Sequence, residues 1–490
     1  MNIINVKNFK IKKISDLIWE LQKDSEMKVP ARIYCDKEIL DHVINEFKQR
    51  SEWNALQQLR NFSTLPGAVK YIVANPDIHV GYGVPIGSVG AFDIENGIIT
   101  VAGVGFDCNC GVRILKTNLT IKDLEKKKKE LAEKLFQTIP AGLGSTGKIK
   151  LTKDEIDEVL VKGANFAIER GYGIKEDLEY IEENGCVKGA NPENVSDKAK
   201  QRQFKEMGTL GSGNHYLEVQ IVDEIFDENA AEIYGLFEGQ VLISIHCGSR
   251  ALGHQVGTDY LKVLDAASRK YNIPIREREL VCAPFKREEG QKYFSAVNAA
   301  INCAFANRQI IAHLTREAFN SVLNIDEEEI KTFYEIGHNT AKLERHKVDG
   351  KTKNLIVLRK GSTRAFGPGR EEIPEAYRKI GQPVLVGGTM GTHSYILHGT
   401  EKGMENTFGS AIHGAGRRMS RNQAKKTWRG TELVEQLNKR GIIVKGHSFA
   451  GLAEEAPDAY KDVEKVIDVM HNSGIAKKVV SVKPYICIKG

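Results

Sequence analysis

The sequence predicts an α+β fold, and three observations lead to that class. Helical and strand-like patterns interleave along its 490 residues without the regular spacing of βαβ units. No internal repeat and no Pro/Ser-rich or low-complexity stretch divides the chain. Several short apolar runs end in glycine turns that carry a histidine, cysteine or aspartate. Turns held by a rigid scaffold commonly carry functional side chains, so we expect a site assembled from these turns.

Composition excludes several classes of protein. Apolar residues make up 41% and charged residues 27%, as in ordinary globular proteins, and the length favours two or three subdomains. The net charge of +6 is small, so a polyanion site would be a local patch. Eight cysteines are too dilute for a disulfide framework, which favours a reducing cytoplasm. The sequence shows neither a signal-type apolar run at its start nor an apolar stretch of about 18 residues, so we expect no membrane association.

The first half of the chain contains two predicted helices separated by predicted strands. Apolar residues recur at helical spacing within residues 36–60, from Ile39 to Phe47. Residues 69–102 are short apolar runs broken by turn residues, which indicates strands. Residues 120–139 have an amphipathic helical pattern with a long, solvated lysine face.

The second half alternates in the same way. Residues 171–206 are polar and predict a helical excursion or a loop. Residues 241–245 predict a short buried strand that ends at His246. Residues 294–323 predict a long helix, and residues 355–420 and 441–453 predict strands and glycine turns.

The segment Gly142–Lys148 has most of the spacing of a phosphate-binding P-loop. A true P-loop follows a strand, precedes a helix and has a hydroxyl residue after its lysine. Here a helical pattern and Pro140 precede the glycines, and Ile149 follows the lysine. Thr152 and Glu155 instead match a capping box that opens a new helix. We therefore interpret residues 142–148 as a flexible glycine loop.

Five glycine-flanked segments carry the side chains of the predicted site. Together they offer a carboxylate, a thiol and four imidazoles, a ligand set that suits Zn²⁺ or Mn²⁺. Glycine permits the tight turns and close backbone approach that aim such groups at a ligand. The segments are Gly105–Gly111 (with Asp107 and Cys110), Gly211–His215, His246–Arg250, Gly337–Asn339 and His413–Arg417.

Each side chain has a structural alternative. Cys110 lies three residues from Asp107 and is a candidate bridging thiolate, although a small buried cysteine is the common alternative. Cys108 is interpreted as the packing residue of that turn. Three histidines stand where a strand meets a turn and are candidate ligands: His215, His246 and His338. For His215 a lone core histidine is the alternative. His254 is interpreted as a neighbour of the site and Arg250 as a phosphate contact. The other histidines are interpreted as surface or structural residues: His42, His346, His398, His447 and His471.

His413 leaves two roles open. The run His413–Arg417 offers an imidazole, two glycine amides and an arginine that could face an anion. A neutral imidazole can attack phosphorus, and adjacent donors would stabilise the developing charge. From the residues alone, metal ligand and nucleophile are equally supported.

Taken together, these segments resemble the RtcB family of RNA ligases. The resemblance runs from about Tyr71 to Gly490 and includes, in order, residues 76–87, the Asp107/Cys110 turn, residues 208–215, 246–250, 338–339, 359–361 and 413–417. It implies an RtcB-type fold, with mixed sheets flanked by helices around a central dinuclear metal cleft. It also implies a reaction that joins a 2′,3′-cyclic phosphate or 3′-phosphate RNA end to a 5′-hydroxyl end, with GTP and Mn²⁺.

The resemblance also assigns roles to residues. Cys110 would bridge two Mn²⁺ ions, with Asp107 and His215 completing one site and His246 and His338 the other. His413 would be the residue guanylylated by GTP. Residues expected at the nucleotide and cofactor site are Asn214, His215, Tyr216, Leu217, Glu218, His338, Asn339, Gly387, Gly388, Thr389, Met390, Ser394, His413, Gly414, Ala415, Gly416 and Lys489. Residues expected to bind RNA phosphates are Arg202, Arg250, Lys360, Arg417 and Arg421.

Four positions depart from the family pattern. Leu358 stands where a histidine is usual, Thr389 replaces a serine, His393 an alanine and Gly387 a proline. Thr389 keeps the hydroxyl group, and none of the expected metal ligands is affected. The departures at Leu358 and His393 bear on RNA binding and on the shape of the nucleotide pocket.

The resemblance further implies an N-terminal helical lead-in over residues 1–70 and a catalytic domain over residues 71–490. Expected partners are RNA, as tRNA halves or broken RNA ends, and an activating protein of the archease type, in the cytoplasm. Two other functions compete with the ligase. A dinuclear phosphoesterase could use the same ligands without nucleotide transfer. A non-catalytic RNA-binding protein would have no use for a thiol with four imidazoles, and RNP-like aromatic-glycine runs are absent from the sequence.

Overall fold

The computed structural model describes residues 3–49 and 53–490, which form an α+β protein as predicted. The strands are β1 (Ile3–Val6), β2 (Phe9–Ser15), β3 (Ile18–Leu21), β4 (Ala31–Tyr34), β5 (Ile72–His79), β6 (Ile86–Asp93), β7 (Ile98–Thr100), β8 (Gly111–Thr120), β9 (Tyr216–Ile225), β10 (Gln240–Cys247), β11 (Cys282–Pro284), β12 (Lys331–Gly337), β13 (Asn339–Val348), β14 (Lys351–Lys360), β15 (Ser362–Arg364), β16 (Pro383–Val386), β17 (Ser394–Gly399), β18 (Ser410–Ile412), β19 (Ile443–Gly446) and β20 (Ala476–Lys489).

Helices connect and flank these strands. They are α1 (Lys37–Gln49), α2 (Ala55–Phe62), α3 (Val101–Val104), α4 (Ile121–Leu124), α5 (Lys128–Thr138), α6 (Lys153–Lys162), α7 (Ala164–Glu169), α8 (Asp197–Gln203), α9 (Glu228–Tyr234), α10 (Arg250–Lys270), α11 (Glu288–Leu323), α12 (Glu401–Thr407), α13 (Arg421–Thr427), α14 (Gly430–Lys439), α15 (Phe449–Glu454) and α16 (Val463–Ser473). Short 3₁₀ helices lie at Lys175–Tyr180, Glu182–Gly185, Pro192–Asn194, Arg278–Leu280, Glu327–Glu329, Glu375–Tyr377 and Pro457–Ala459.

The first large sheet has the strand order β1-β2-β3-β4-β5-β6-β14-β13. Its neighbours are antiparallel except for the parallel pair β4 and β5. The end of β5, the start of β6, the end of β14 and the start of β13 lie side by side, because His79 pairs with Ile86, Ser88 with Lys360, and Lys360 with Asn339. Residues from distant parts of the chain therefore meet at one end of this sheet.

The second large sheet has the order β12-β8-β10-β9-β20-β17-β16, with β19 paired to β20. Antiparallel neighbours run in opposite directions, so the starts of β8 and β9 lie beside the ends of β10, β12 and β20. The two sheets are joined where β12 leads through a single residue, His338, into β13. The gathered ends of both sheets thus face a common cleft.

The predicted N-terminal lead-in is helical only in part. Residues 3–34 form strands β1 to β4, and helices follow as α1 and α2, so the wholly helical interpretation of residues 1–70 is wrong. Short strands with one buried face, such as the alternating β2, give too weak a periodic signal over four to seven residues to compete with the strong pattern of α1. The domain division at residue 70 stays a prediction.

Other predicted elements agree with the structure except near their ends and at Glu401–Thr407. These residues, predicted as strand or turn, form helix α12, whose N-cap Thr400 accepts a hydrogen bond from the Gly403 amide through its side chain. Residues 36–60 contain α1 and α2, with residues 50–52 outside the described part. The predicted helix 120–139 is split into α4 and α5, and the predicted helix 294–323 lies within α11. Residues 449–453, predicted as strand or turn, are helical in α15, whose Ser448 side chain accepts a hydrogen bond from the Gly451 amide. Residues 142–148 form a loop, and the Thr152 capping box opens α6.

Helix α11 lies in the core and carries the arginine that fixes the site's backbone. The fully buried Arg308 donates through Nη1 to the carbonyl oxygens of Asn109 (2.7 Å) and Cys247 (2.6 Å). Its Nε donates to Oε1 of Glu335 at 2.7 Å, and Arg113 donates to the other oxygen of the same carboxylate. One buried carboxylate thus serves two guanidinium groups, and Arg308 ties the turn before β8 to the end of β10.

Within residues 3–49 and 53–490, no helix has the length and apolar character needed to cross a membrane.

The buried Arg113–Glu335–Arg308 group yields a stability prediction. The substitution Glu335→Gln keeps the side-chain shape but leaves two buried guanidinium groups without their counter-charge, which is expected to cost about 3–5 kcal/mol. Thermal unfolding followed by calorimetry should show a midpoint several degrees lower. The control is Glu371→Gln, which removes an exposed carboxylate. Equal midpoints for the two variants would contradict the assigned role of this group.

Candidate active site

The predicted metal ligands come together at one end of the second sheet. Cys110 immediately precedes β8, His215 immediately precedes β9, His246 lies at the end of β10, and His338 follows β12. The distance from the Cys110 Sγ to the Nε2 of His215 and to the Nε2 of His246 is 3.3 Å in each case. The His246 and His338 Nε2 atoms are also 3.3 Å apart. Strand register therefore converts four remote segments into one cluster.

Backbone carbonyls orient two of these imidazoles. His215 Nδ1 lies 3.0 Å from the Leu210 oxygen, and His246 Nδ1 lies 3.1 Å from the Asn214 oxygen. A carbonyl oxygen can only accept, so each Nδ1 carries the proton and donates it. In the neutral imidazole the lone pair then resides on Nε2, which points into the cluster. Burial lowers the pKa of His246 and of His338 well below the ordinary value, which keeps both rings neutral.

Asp107 adds a carboxylate to the same cluster. Its Oδ2 lies 2.9 Å from His215 Nε2, and its buried Oδ1 has no hydrogen-bond partner. Burial raises the pKa of Asp107, but His215 and Cys110 lower it more, so it stays below the ordinary value. A side chain at Gly248 would place its Cβ 2.3 Å from Oδ1, which explains the need for glycine there. Burial raises the pKa of the Cys110 thiol well above its usual range.

These atoms fit a pair of metal ions. Imidazole lone pairs, a carboxylate and a sulfur face one another with too few protons between them to pair as hydrogen bonds. Two groups have ligand atoms within 4.8 Å of one another: Asp107, Cys110 and His215, and Cys110, His246 and His338. Cys110 belongs to both groups, and a bound cation would deprotonate its thiol despite the raised pKa.

His413 stands beside the cluster and is held by an aspartate that the sequence analysis gave no role. Its Nδ1 lies 2.7 Å from Asp77 Oδ2, and its backbone N–H donates to the same oxygen at 3.2 Å. The carboxylate accepts the Nδ1 proton, which leaves Nε2 as the free base of the ring. The His413 and His338 ring centroids are 4.9 Å apart.

Asp77 lies in the buried strand β5, and Lys461 balances its charge. Lys461 donates to the carbonyl oxygens of Pro76, at 3.0 Å, and of Ile78. Burial lowers the pKa of Lys461 to about 8, although the nearby Asp77 carboxylate opposes this shift. An acidic residue in a run of buried strand residues was the signal in the sequence that could have singled out Asp77. At Gly416, where φ is +74°, an added Cβ would lie 2.2 Å from the backbone carbonyl oxygen of Asp77.

A cavity of about 640 Å³ joins the cluster to His413. Of the residues predicted for the nucleotide site, it is lined by Asn214, His215, Tyr216, His338, Asn339, Gly387, Gly388, Thr389, His413, Gly414, Ala415, Gly416 and Lys489. The structure does not bring Leu217, Glu218, Met390 or Ser394 to this wall: all four are buried, and Ser394 accepts a hydrogen bond from the Gly388 amide at 2.9 Å.

The divergent positions Leu358 and His393 lie off this cavity wall. Leu358 is buried in the core, and His393 pairs with Asp223 at 3.0 Å. The departures from the family pattern therefore leave the cavity itself unchanged at these two positions.

Basic residues line the cavity unequally. Arg250, Lys360, Arg417 and Arg421 reach its wall, whereas Arg202 does not and donates instead to Gln255 at 2.9 Å. Burial lowers the pKa of Lys360 to about 7, so an anion beside it would restore its charge. His254 also lines the cavity and stacks on Phe106, and the unpredicted His79 lines it as well.

The fold and the cavity define a class of protein with two mixed sheets. At the ends of their strands, one cavity joins a ligand set that suits two metal ions to a histidine–aspartate pair. The family model described as tRNA-splicing ligase RtcB matches residues 58–490. The chain therefore belongs to the RtcB family.

Similar proteins cover nearly the whole chain. A tRNA-splicing ligase RtcB from Thermococcus kodakarensis is 50% identical over 483 residues, covering 98% of this chain and 99% of the relative. The protein of the same name from Methanococcus maripaludis is 51% identical over 466 residues, 95% of each chain. A third, from Archaeoglobus fulgidus, is 49% identical over 484 residues, 98% of this chain and 99% of the relative. The family resemblance inferred from the motifs is thereby confirmed, while the role of each site residue stays a prediction.

The shared position of Cys110 gives a prediction about metal binding. Cys110→Ala removes the one atom common to both ligand groups, so the Kd for Mn²⁺ should rise by about 100-fold or more. Isothermal titration of the metal-free protein measures this directly, without any assay of activity. Cys108→Ala is the matched control, because it removes a neighbouring buried thiol that belongs to neither group. Equal Mn²⁺ affinity in the two variants would refute the bridging role.

Proposed function

We propose that this protein is a GTP- and Mn²⁺-dependent RNA ligase that acts in tRNA splicing or RNA repair. It would join an RNA end with a 2′,3′-cyclic phosphate or 3′-phosphate to an end with a 5′-hydroxyl. Membership of the RtcB family supports RNA ligation. The observation that carries the finer chemistry is the His413–Asp77 pair, which directs a free imidazole nitrogen into the cavity that the metal-ligand cluster also lines.

The ligand cluster would hold two Mn²⁺ ions. Asp107, Cys110 and His215 would bind one, and Cys110, His246 and His338 the other. When bound, the ions would polarise phosphoryl oxygens and lower the pKa of water for opening a cyclic phosphate. The backbone carbonyls behind His215 and His246 orient both rings, so that their Nε2 atoms would be available to bound ions.

His413 would act as the nucleophile toward GTP. Its Nε2 would attack the α-phosphorus, forming a nitrogen–phosphorus bond as the bond to pyrophosphate breaks. Asp77 keeps the Nδ1 proton in place and stabilises the positive charge that develops on the ring. The RNA 3′-phosphate would then take the GMP from His413, which returns the imidazole to its free form. Attack by the 5′-hydroxyl on the activated phosphate would form the new phosphodiester and release GMP.

Glycine-rich segments around His413 suit a nucleotide. Gly387, Gly388, Gly414 and Gly416 line the cavity with His413, and Gly387 is bridged to Gly414. These wall segments have no side chains, so a planar base or ribose can approach the backbone. Lys489, at the end of β20, lies 5.3 Å from the centre of the Tyr216 ring and extends a positive charge over this wall.

RNA would be held by the basic wall of the cavity. Arg250, Lys360, Arg417 and Arg421 all line the cavity that the metal ligands and His413 also line. Contacts with phosphates position the strand and carry no sequence information, which suits an enzyme acting on many RNA ends. We further propose that an archease-type protein activates the enzyme and that the enzyme acts in the cytoplasm. The described cysteines form no disulfides, which is compatible with a reducing compartment.

A ligation assay tests the proposal against a dinuclear phosphoesterase. One strand ending in a 2′,3′-cyclic phosphate and one beginning with a 5′-hydroxyl are incubated with Mn²⁺ and GTP. A joined product is expected with GTP and not with an analogue that cannot be cleaved between its α and β phosphates, because the chemistry needs transfer of GMP. A strand beginning with 5′-phosphate should not be joined. Opening of the cyclic phosphate without joining, whatever the nucleotide, would favour the phosphoesterase.

A further inference from the structure

The loop Gly142–Lys148, which has the spacing of a P-loop without its context, lies beside the active-site cavity. The Gly142 amide donates to the carbonyl oxygen of Gly211 at 2.7 Å, and the next residue, Ser212, lines the cavity. The Gly147 amide donates to the Lys205 oxygen at 2.7 Å. The loop is therefore anchored at both ends, and its first end lies next to the cavity.

The tip of this loop presents a large apolar side chain to solvent. Leu143 is 91% exposed and lies between Gly142 and Gly144, whose φ angles of +103° and +68° form the projecting turn. A Cβ added at Gly144 would meet nothing within 4 Å, so the tip packs against no other element at that point. A single exposed leucine is common on protein surfaces, so its meaning depends on the exposed apolar residues next to it.

A second exposed apolar residue stands on the neighbouring element. Phe449 begins α15 and is 58% exposed. The position of a Cβ on Gly142 is 3.9 Å from the Cβ of His447, two residues before Phe449, and His447 stacks on Phe136 with ring centres 4.6 Å apart. Leu143 follows Gly142 and Phe449 lies two residues after His447, so the two exposed residues lie on segments that meet at His447. We call Leu143, His447 and Phe449 the apolar rim.

Three lysines without an ion pair among the described residues lie on segments that adjoin the apolar rim. Lys148 is the last residue of the loop, Lys150 lies two residues further on, and Lys426 lies on α13, which also carries the cavity residue Arg421. All three lysines are exposed, and among the described residues none of them forms an ion pair with a carboxylate. No aspartate or glutamate occurs between Asn406 and Thr431. The rim therefore suits a polyanion with flat apolar groups.

We propose that the apolar rim is a stacking platform for the unpaired nucleotides next to the reacting RNA end, with Lys148, Lys150 and Lys426 binding the phosphates between them. This inference rests on the proposed RNA ligation and extends the binding site beyond the cavity. Stacking accepts any base, which a ligase of varied RNA ends requires. Two exposed apolar side chains are too small a surface for a stable protein interface, which buries about 800 Å² on each partner.

The test is direct binding of a labelled single-stranded RNA of about 12 nucleotides, a length within the range that nucleic-acid grooves cover, measured by fluorescence anisotropy with the Mn²⁺-loaded protein. Phe449→Ala and Leu143→Ala should each raise the RNA Kd at least about fivefold. Phe449→Trp, which keeps an aromatic ring, should have the RNA Kd of the wild type. The control is Phe237→Ala, which removes another exposed aromatic side chain, 39% exposed, at a distance from the site. Phe237 lies just before β10, and the site residue His246 lies at the opposite end of that strand.

The readouts separate this inference from the proposed function. The rate of guanylylation by GTP should be the same in the rim variants and the wild type, because neither rim residue lines the cavity. Weaker RNA binding confined to the rim variants supports the platform even if the wild type fails to ligate. An unchanged RNA Kd in both alanine variants, or an equal change in Phe237→Ala, would overturn the platform.

Discussion

The site depends on two backbone carbonyls that each hold the proton of one imidazole. The Leu210 and Asn214 oxygens accept from the Nδ1 atoms of His215 and His246, which forces the Nε2 lone pairs toward Cys110. With the Asp107 carboxylate in the same place, the cluster has a surplus of acceptors that cations can satisfy. His413 is held in the same way, because the Asp77 carboxylate accepts its Nδ1 proton and leaves Nε2 as the basic nitrogen.

The fold supplies the rigidity that this arrangement needs. The ligands stand at strand ends, where each is fixed by register to its neighbour, as His246 is to Val112 and Tyr216. Arg308, from the buried helix α11, grips the backbone on both sides through the oxygens of Asn109 and Cys247. His338 is itself the connection between the two sheets, and its ring centre lies 4.9 Å from that of His413, so His413 is next to the ligand cluster.

Much of this could be predicted from the sequence, because glycine-flanked functional residues leave a strong local signal. The segments around Cys110, His215, His246, His338 and His413 were identified on that basis, and the structure brings them to one cavity. The long buried helix was also predictable from its apolar pattern. Such signals are local, because each depends only on residues that are adjacent in the sequence.

What the sequence did not reveal depends on partners remote in the chain. Asp77 acquires its role only through contact with His413, 336 residues away, and Arg308 acts on carbonyl groups that carry no sequence signature. Leu217 and Met390 lie next to cavity residues in sequence, but their side chains belong to the core, because adjacent residues of a strand or turn face opposite ways. The strands of residues 3–34 were missed since their stability comes from pairing within the sheet.

The central claim is that Asp77 prepares His413 Nε2 as the nucleophile beside the metal-ligand cluster. The most direct measurement is the intact mass of the protein after incubation with GTP and Mn²⁺, followed by peptide mapping. The account predicts one added GMP, attached at His413, absent from His413→Ala and formed on the order of 10²-fold or more slowly by Asp77→Asn, which leaves the ring in the wrong tautomer. A GMP adduct on another residue, or an undiminished rate in Asp77→Asn, would contradict it.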